Sequence, residues 1–169
     1  MNNSNKGFTL IELLVVVAII GVLASIVLSS LNNAQSRARD ARRVRDMNTI
    51  KKKLELYYVD NGHYPYVDGR SSSNYYSVQD SWAEIEVLIG STLPRDPINE
   101  YVSPFSGGLS YGYYAGNTAT ACYGQAYVLS FNKETESSPD SVAYLCNGST
   151  PTFDSGVYLL GVDRNGAIH

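Results

Sequence analysis

The chain has 169 residues, a formal net charge of −3, 44% hydrophobic residues and 11% aromatic residues. That hydrophobic content suffices for a folded core and excludes a wholly disordered chain, and the length fits one domain with an appendage. The charge is unevenly divided, with eight basic residues between Arg37 and Lys53 but thirteen acidic and four basic residues from Leu54 onward. The composition therefore indicates a basic segment joined to an acidic globular body.

The first element in the chain is an apolar segment. From Phe8 to Leu31 it contains 24 residues, and Glu12 is its only charged residue. As a helix rising about 1.5 Å per residue, it is long enough to cross the ~30 Å hydrocarbon core of a membrane. A cleaved secretory signal and a plain membrane anchor are the alternatives. An ionisable side chain inside such a segment costs about 2.5–3.5 kcal/mol, so Glu12 is predicted to have a function.

The sequence K-G-F-T-L-I-E-L-L-V-V-V-A-I-I-G-V-L-A, which starts at Lys6, resembles the processing and assembly region of type IV pilins and type II secretion pseudopilins. The resemblance implies that a prepilin peptidase cleaves after Gly7, that Phe8 becomes the N-methylated terminus and that Glu12 directs polymerisation. In that family the glutamate neutralises the terminal amine of an adjacent subunit. A local alternative, in which Glu12 bonds the amides or amine of its own helix N-terminus, stays open.

Helix-forming residues continue beyond the apolar segment, and no proline precedes Pro65. One long helix is therefore predicted over about residues 9–60, ended by Asp60-Asn61-Gly62. An apolar stripe at helical spacing predicts the face that packs on the body. The stripe consists of Ala34, Ala38, Ala41, Val44, Met47, Ile50, Leu54 and Tyr57.

The basic residues between positions 37 and 53 lie beside this stripe. They are predicted to form a solvated face that makes salt bridges with the acidic bodies of neighbouring subunits. Clusters of Lys and Arg also bind nucleic-acid phosphates, but this stretch has no interleaved aromatic residues. A nucleic-acid partner is therefore disfavoured.

After the helix, a tyrosine-rich linker is predicted from Tyr66 to Gln79. A short helix follows, opened by Ser81-Trp82-Ala83-Glu84 as a capping box and closed by Gly90. Leu93-Pro94-Arg95-Asp96-Pro97 is predicted to be a rigid extended turn, and this L-P-x-D-P segment also resembles the major pseudopilins and related pilins.

Four runs of β-forming residues then alternate with turn residues, which predicts strands. They are Leu109–Ala115, Ala121–Phe131, Val142–Cys146 and Gly156–Leu160. The predicted fold class is α+β, the pilin fold, with one long N-terminal helix packed against a C-terminal antiparallel sheet of three or four strands. The predicted domains are a leader (1–7), a membrane and filament-core half of the helix (8–31), an amphipathic half (32–62) and a globular body (63–169).

Two further sites are predicted in the body. Cys122 and Cys146 pair as a disulfide if the body is exported. Asp163-Arg164-Asn165-Gly166 resembles the start of the calcium loop of major pseudopilins, which makes Asp163 and Asn165 candidate calcium ligands. A plain β-turn is the default there, because no later acidic residue supplies further oxygens. No other cofactor is expected.

The function predicted from these features is structural. The two histidines, His63 and His169, have no nucleophile or metal-binding group beside them in the sequence, so no enzyme is expected. The resemblance implies a subunit of a type IV pilus-like filament, with a type II secretion major pseudopilin and a membrane-anchored binding domain that never polymerises as alternatives. The implied partners are other copies or minor pilins, a prepilin peptidase, a pilus or secretion assembly platform, and membrane lipid before assembly.

The resemblance also implies a location. It places the chain in the cytoplasmic membrane as a single-pass protein with its C-terminal body outside, and later in an extracellular pilus or a periplasmic pseudopilus. The basic residues that follow the apolar segment favour the opposite orientation when they are considered alone.

Overall fold

The computed structural model describes residues 7–67, 74–100, 102, 108–115, 124–135 and 157–162. The elements in chain order are α1 (Leu10–Asn61), β1 (Asn74–Tyr76), α2 (Asp80–Ile89), β2 (Gly112–Tyr114), β3 (Tyr127–Asn132) and β4 (Val157–Val162). The chain divides into two compact units, Met1–Ala38 and Arg39–His169. We call the second of these the head unit.

The predicted long helix is confirmed. α1 runs unbroken for 52 residues. It stops at Gly62, whose φ of 73° is a left-handed conformation and whose amide donates to the Tyr58 carbonyl at 2.8 Å. Glycine adopts this conformation without the steric penalty of a side chain, so the predicted stop signal determines where the helix ends.

The four strands form one antiparallel sheet in the order β1-β2-β3-β4. Its register aligns Tyr75 with Tyr113, Tyr113 with Leu129, and Leu129 with Leu160. The α+β fold with a C-terminal antiparallel sheet is therefore confirmed. The strand predicted at Val142–Cys146 lies outside the described residues.

The prediction of a continuous linker from Tyr66 to Gln79 is wrong, because β1 lies within it. Tyr75, in the middle of this strand, is fully buried, and its hydroxyl oxygen accepts a hydrogen bond from the Val67 amide at 2.8 Å. Three residues are too few to show the alternation that identifies a strand, so pairing with β2 decides this conformation.

The short helix α2 is confirmed, but the predicted capping box is wrong. The helix starts at Asp80, and Gln79 is the N-cap without a side-chain hydrogen bond. Ser81 lies inside the helix, where its Oγ accepts a hydrogen bond from the Tyr76 amide at 3.3 Å. Ser81 therefore connects α2 to β1. Gly90 ends the helix as predicted, with a φ of 67°.

The core of the head unit joins α1 to α2 and the sheet. Met47, Ile50 and Leu54 of α1 are fully buried, and burying each such side chain contributes about 1.5–3 kcal/mol. They belong to one cluster with residues of the other elements, including Tyr75, Trp82, Ile85, Tyr111, Tyr113, Tyr127, Leu129 and Phe131. Several of the tyrosines thus act as core residues.

The predicted apolar stripe is wrong in its first turns. Ala34, Ala38 and Ala41 are exposed, whereas Asp40 and Arg43 are 6% and 0% exposed. Asp40 and Arg43 precede Met47 at helical spacing, so they lie on the buried face of α1. Hydrophobicity alone cannot locate this face, because ion pairs rather than apolar contacts occupy its first turns.

Candidate functional site

The start of α1 is a reciprocal capping box formed by Thr9 and Glu12. The amide and hydroxyl of Thr9 donate to Oε2 of Glu12 at 2.8 and 2.7 Å, and the Glu12 amide donates to the Thr9 hydroxyl oxygen at 3.3 Å. The box satisfies backbone amides that a helix N-terminus otherwise leaves without partners. The sequence left two partners open for Glu12, the terminal amine of a neighbouring subunit and the N-terminus of its own helix. In the single chain Glu12 bonds Thr9 at the N-terminus of its own helix.

Thr9 was not among the residues singled out from the sequence, although the pattern Thr9-Leu10-Ile11-Glu12 is the spacing of a capping box. Gly7 and Phe8 precede this box in a non-helical, exposed stretch. Phe8 is 90% exposed, and a Cβ built on Gly7 meets no atom within 4 Å. None of the described residues therefore crowds the peptide bond between them.

The unit Met1–Ala38 exposes an apolar helix surface. Sixteen large hydrophobic side chains between Phe8 and Leu31 are exposed, each by 49% or more. Within the part of the chain that the structure describes, α1 is the one helix long and apolar enough to cross a membrane by length and composition. Exposing so much apolar surface to water is unfavourable, so this surface requires lipid or protein around it.

In the head unit, α1 contributes to an ionic cluster in which Asp40, Arg43 and Asp96 are buried. With the partly exposed Arg39 and Glu134, these residues form what we call the arginine cluster. Arg43 donates from Nε to Oδ2 of Asp96 at 2.6 Å and from Nη2 to Oδ1 of Asp96 at 3.1 Å. Its Nη1 donates to Asp40 and Glu134, both at 2.7 Å. The planar guanidinium thus satisfies carboxylates from three segments of the chain.

Asp40 completes the cluster by accepting hydrogen bonds from the turn after β3. The amides of Glu134 and Thr135 donate to it at 3.0 and 3.1 Å, and the Thr135 hydroxyl donates at 2.7 Å. Burial acts to raise the pKa of Asp40, but these hydrogen bonds, together with that from Arg43, hold it below its ordinary value. Arg39 also pairs with Glu134, at 2.5 Å.

The prediction that the basic residues form a solvated face is therefore wrong for Arg43 and Lys53. Arg43 is fully buried, and Lys53 donates to the Ser91 hydroxyl at 2.6 Å and to the Thr92 carbonyl at 2.5 Å. Asp96 stands out in the sequence as part of the L-P-x-D-P segment, but nothing in the sequence links it to Arg43. Its contact with Arg43, 53 residues earlier, is decided by the tertiary fold.

The remaining predicted site residues are Cys122, Cys146, Asp163 and Asn165, and all four lie outside the described residues. The disulfide and the calcium site therefore stay predictions. Among the described residues, no group of three or more His, Cys, Asp or Glu side chains is arranged to hold a metal ion. The three carboxylates of the arginine cluster surround a guanidinium instead.

Comparisons with known proteins agree with the N-terminal features. A family model described as the prokaryotic N-terminal methylation motif matches residues 2–28. The chain is 41% identical over 63 residues to type II secretion system core protein G of Escherichia coli (strain K12), covering 37% of this chain and 43% of that protein. It is 46% identical over 59 residues to the type IV wide pilus major component PilA4 of Thermus thermophilus, covering 35% and 45%.

The chain thus matches less than half of the length of these two relatives. No solved structure matches it significantly. The methylation motif lies in the segment that contains Gly7, Phe8 and Glu12, and the helix and antiparallel sheet complete the expected α+β arrangement. The N-terminal part of the chain is therefore similar to type IV pilins and type II secretion pseudopilins.

Proposed function

We propose that this chain is the structural subunit of a type IV pilus-like filament. A prepilin peptidase cleaves it after Gly7, Phe8 is N-methylated, and copies polymerise through the apolar segment 8–31. The observation that carries the proposal is the set of sixteen exposed hydrophobic side chains, Phe8 and fifteen on the helix that follows it, in and directly after the segment that matches the methylation motif. Lipid covers this surface before assembly, and the same segments of other copies cover it afterwards.

The geometry of Glu12 suggests how one carboxylate serves both the isolated subunit and the filament. Its Oε2 accepts the hydrogen bonds from Thr9, while Oε1 accepts none from the described residues. Cleavage after Gly7 creates an α-amino group on Phe8 that is cationic at neutral pH. In the proposed filament, Oε1 pairs with this amine of a neighbouring copy, which neutralises a charge that would otherwise be buried unpaired.

Three substitutions separate the capping role from the charge-pairing role. Glu12→Gln keeps a side chain that accepts the Thr9 hydrogen bonds but removes the charge, Glu12→Ala removes both, and Thr9→Val keeps the charge. We expect both Glu12 variants to insert into the membrane without forming filaments, and Thr9→Val to form them. Electron microscopy and immunoblotting of sheared filaments measure the outcome. Normal filaments from Glu12→Gln would refute the charge-pairing mechanism.

Processing has its own test. The intact mass of the mature protein, compared with that of the precursor, should show the loss of residues 1–7 and the gain of one methyl group. A product that retains residues 1–7 would contradict the proposed cleavage. An unmethylated product with the correct start would contradict only the modification of Phe8.

The alternative function is that of a type II secretion major pseudopilin, which the similarity to core protein G favours. In that case the filament is short and periplasmic, and loss of the chain blocks export of a protein substrate. A surface pilus predicts filaments outside the cell and unimpaired export. A second alternative, a membrane-anchored binding domain, predicts that Glu12→Ala behaves like the wild type.

The proposed partners are other copies or minor pilins, a prepilin peptidase and an assembly platform. The proposed location is the cytoplasmic membrane with the head outside, followed by the pilus or pseudopilus. Accessibility of the head to an added protease in intact spheroplasts tests this orientation. Protection of the head would place it in the cytoplasm and overturn the proposed export.

A further inference from the structure

The head unit has a groove between the last turns of α1 and the end of α2, which we call the α1–α2 groove. Its volume is about 480 Å³, within the range of about 300–1,000 Å³ typical of ligand sites. On the α1 side, its lining residues recur at helical spacing and form one stripe along the helix. The stripe consists of Lys53, Leu56, Tyr57 and Asp60. On the α2 side, the groove is lined by Leu88, Ile89 and Ser91.

The two ends of this stripe carry opposite charges. Lys53 and Asp60 are seven residues apart on α1, so their backbones are separated by about 10 Å along the helix axis. The Lys53 ammonium donates to the Ser91 hydroxyl and the Thr92 carbonyl, which leaves one of its three N–H donors. Asp60 is exposed, and its carboxylate has no hydrogen-bond or ion-pair partner across the described part of the chain. The groove therefore has a cationic end and an anionic end.

The C-terminus of α1 reinforces the anionic end. The last carbonyls of a helix carry a partial negative charge, which favours a basic group nearby. The last turn of α1 contains no basic residue and contains Asp60 instead. Within the described ranges, the Tyr57 hydroxyl also has no partner. Burial raises the pKa of Tyr57, so this hydroxyl keeps its proton and is available for a hydrogen bond. This end of the groove fits a cationic group.

Between its charged ends, the groove has apolar walls. Leu56 of α1 is 67% exposed and Leu88 of α2 is 38% exposed, and both border the groove. Covering such surface with apolar side chains is favourable. An extended peptide advances about 3.3–3.6 Å per residue, so three or four residues bridge the distance between the charged ends.

We infer that the α1–α2 groove binds a short extended peptide segment of another protein, with a basic side chain at one end, an acidic side chain at the other and apolar side chains between them. The basic group pairs with Asp60, and the acidic group accepts the remaining N–H of Lys53. Two opposite charges at a fixed spacing select such a segment over uniformly charged ones, because electrostatic complementarity determines specificity more than affinity. The inference goes beyond the proposed function, since the site lies wholly in the head unit and does not involve the segment 8–31.

Isothermal titration calorimetry of the detergent-solubilised full chain with two blocked tetrapeptides tests the charge pattern. Acetyl-Lys-Leu-Leu-Asp-amide carries both charges and is used in both chain directions, whereas acetyl-Asp-Leu-Leu-Asp-amide lacks the basic side chain. The wild-type chain should bind the first peptide about fivefold more tightly, because an unlike charge then faces Asp60. Asp60→Lys should invert this preference, since the groove then has a cation at both ends.

Asp80→Lys is the matched control, because it makes the same charge change at the other end of α2. It should leave the preference of the wild type within about twofold. Leu56→Ser should weaken binding of the first peptide about threefold or more, whereas Val87→Ser, on exposed α2 surface outside the groove, should not. Fluorescence of Trp82, the only tryptophan, verifies that each variant head is folded.

Three outcomes would overturn the inference. They are the absence of binding to either peptide, equal affinity of the wild type for both, and a preference that Asp60→Lys does not invert. A second copy of the chain as the occupant would appear by light scattering as a dimer that Asp60→Lys dissociates, and this result would overturn the inference as well. Failure of the wild-type chain to form filaments would overturn the proposed function and leave the peptide site standing.

Discussion

Arg43→Met should destabilise the head unit more than any other single change in the arginine cluster. The substitution keeps an unbranched apolar stem but removes the guanidinium that pairs with Asp96 through two hydrogen bonds. Asp96 is 5% exposed and Asp40 is 6% exposed. Two buried carboxylates would thus lose their cation, and breaking a buried pair by removing one partner costs about 3–5 kcal/mol.

Urea unfolding of the detergent-solubilised full chain, followed by Trp82 fluorescence, measures this loss. Trp82 is fully buried in α2 and is the only tryptophan, so its emission reports on the head unit. Arg39→Met is the control, because the Arg39 side chain is 32% exposed and its pair with Glu134 is partly screened. That variant should lose less stability than Arg43→Met, because solvent screens an exposed ion pair.

The double variant Arg43→Met/Asp96→Asn tests the cause of the loss. Asparagine keeps an oxygen that accepts the Ile98 and Asn99 amides, which now donate to Asp96 at 2.9 and 3.2 Å, but it carries no charge. The double variant should therefore be more stable than Arg43→Met alone. A loss for Arg43→Met no larger than that for Arg39→Met, or no recovery in the double variant, would refute the reasoning.

Three further predictions concern the head. The pKa of Asp40 is lowered in the folded state, so its ionised carboxylate stabilises the fold above the ordinary carboxyl pKa of about 4, and this stabilisation is lost as the pH falls through the folded-state pKa. Asp40→Asn should therefore flatten the acid limb of a plot of urea midpoint against pH. An unchanged limb would contradict this. Gly90→Ala should lower the free energy of unfolding by about 1 kcal/mol because of the positive φ alone. Gly124→Ala should lower it further, because φ at Gly124 is 81° and the new Cβ would lie 3.0 Å from a tyrosine ring. Equal urea midpoints for the two variants would refute the additional steric cost at Gly124. Thiol labelling of denatured, non-reduced protein should find neither Cys122 nor Cys146 free, and two reactive thiols would rule out the disulfide.

Local sequence signals were sufficient for the long helix, its end and the methylation motif. The segment 8–31 is apolar with a single carboxylate, helix formers continue to Asn61, and Gly62 readily adopts a left-handed conformation, so each feature depends on neighbours in the chain. The capping partner Thr9 was also within reach, because its spacing from Glu12 identifies the motif.

The parts that sequence reasoning missed depend on contacts between distant segments. β1 forms because its three residues pair with β2, and Ser81 binds the end of β1 instead of capping its own helix. The buried face of α1 could not be located from apolar spacing, because Asp40 and Arg43 occupy it as ions. A residue such as Arg43 is exposed by default and becomes a core residue only when carboxylates from two remote segments surround it. The sequence by itself determined a membrane-length helix with a methylation motif. The tertiary structure decided which side of its head-unit part packs into the core and which side stays exposed, because contacts between distant segments bury Asp40 and Arg43 together with the apolar residues.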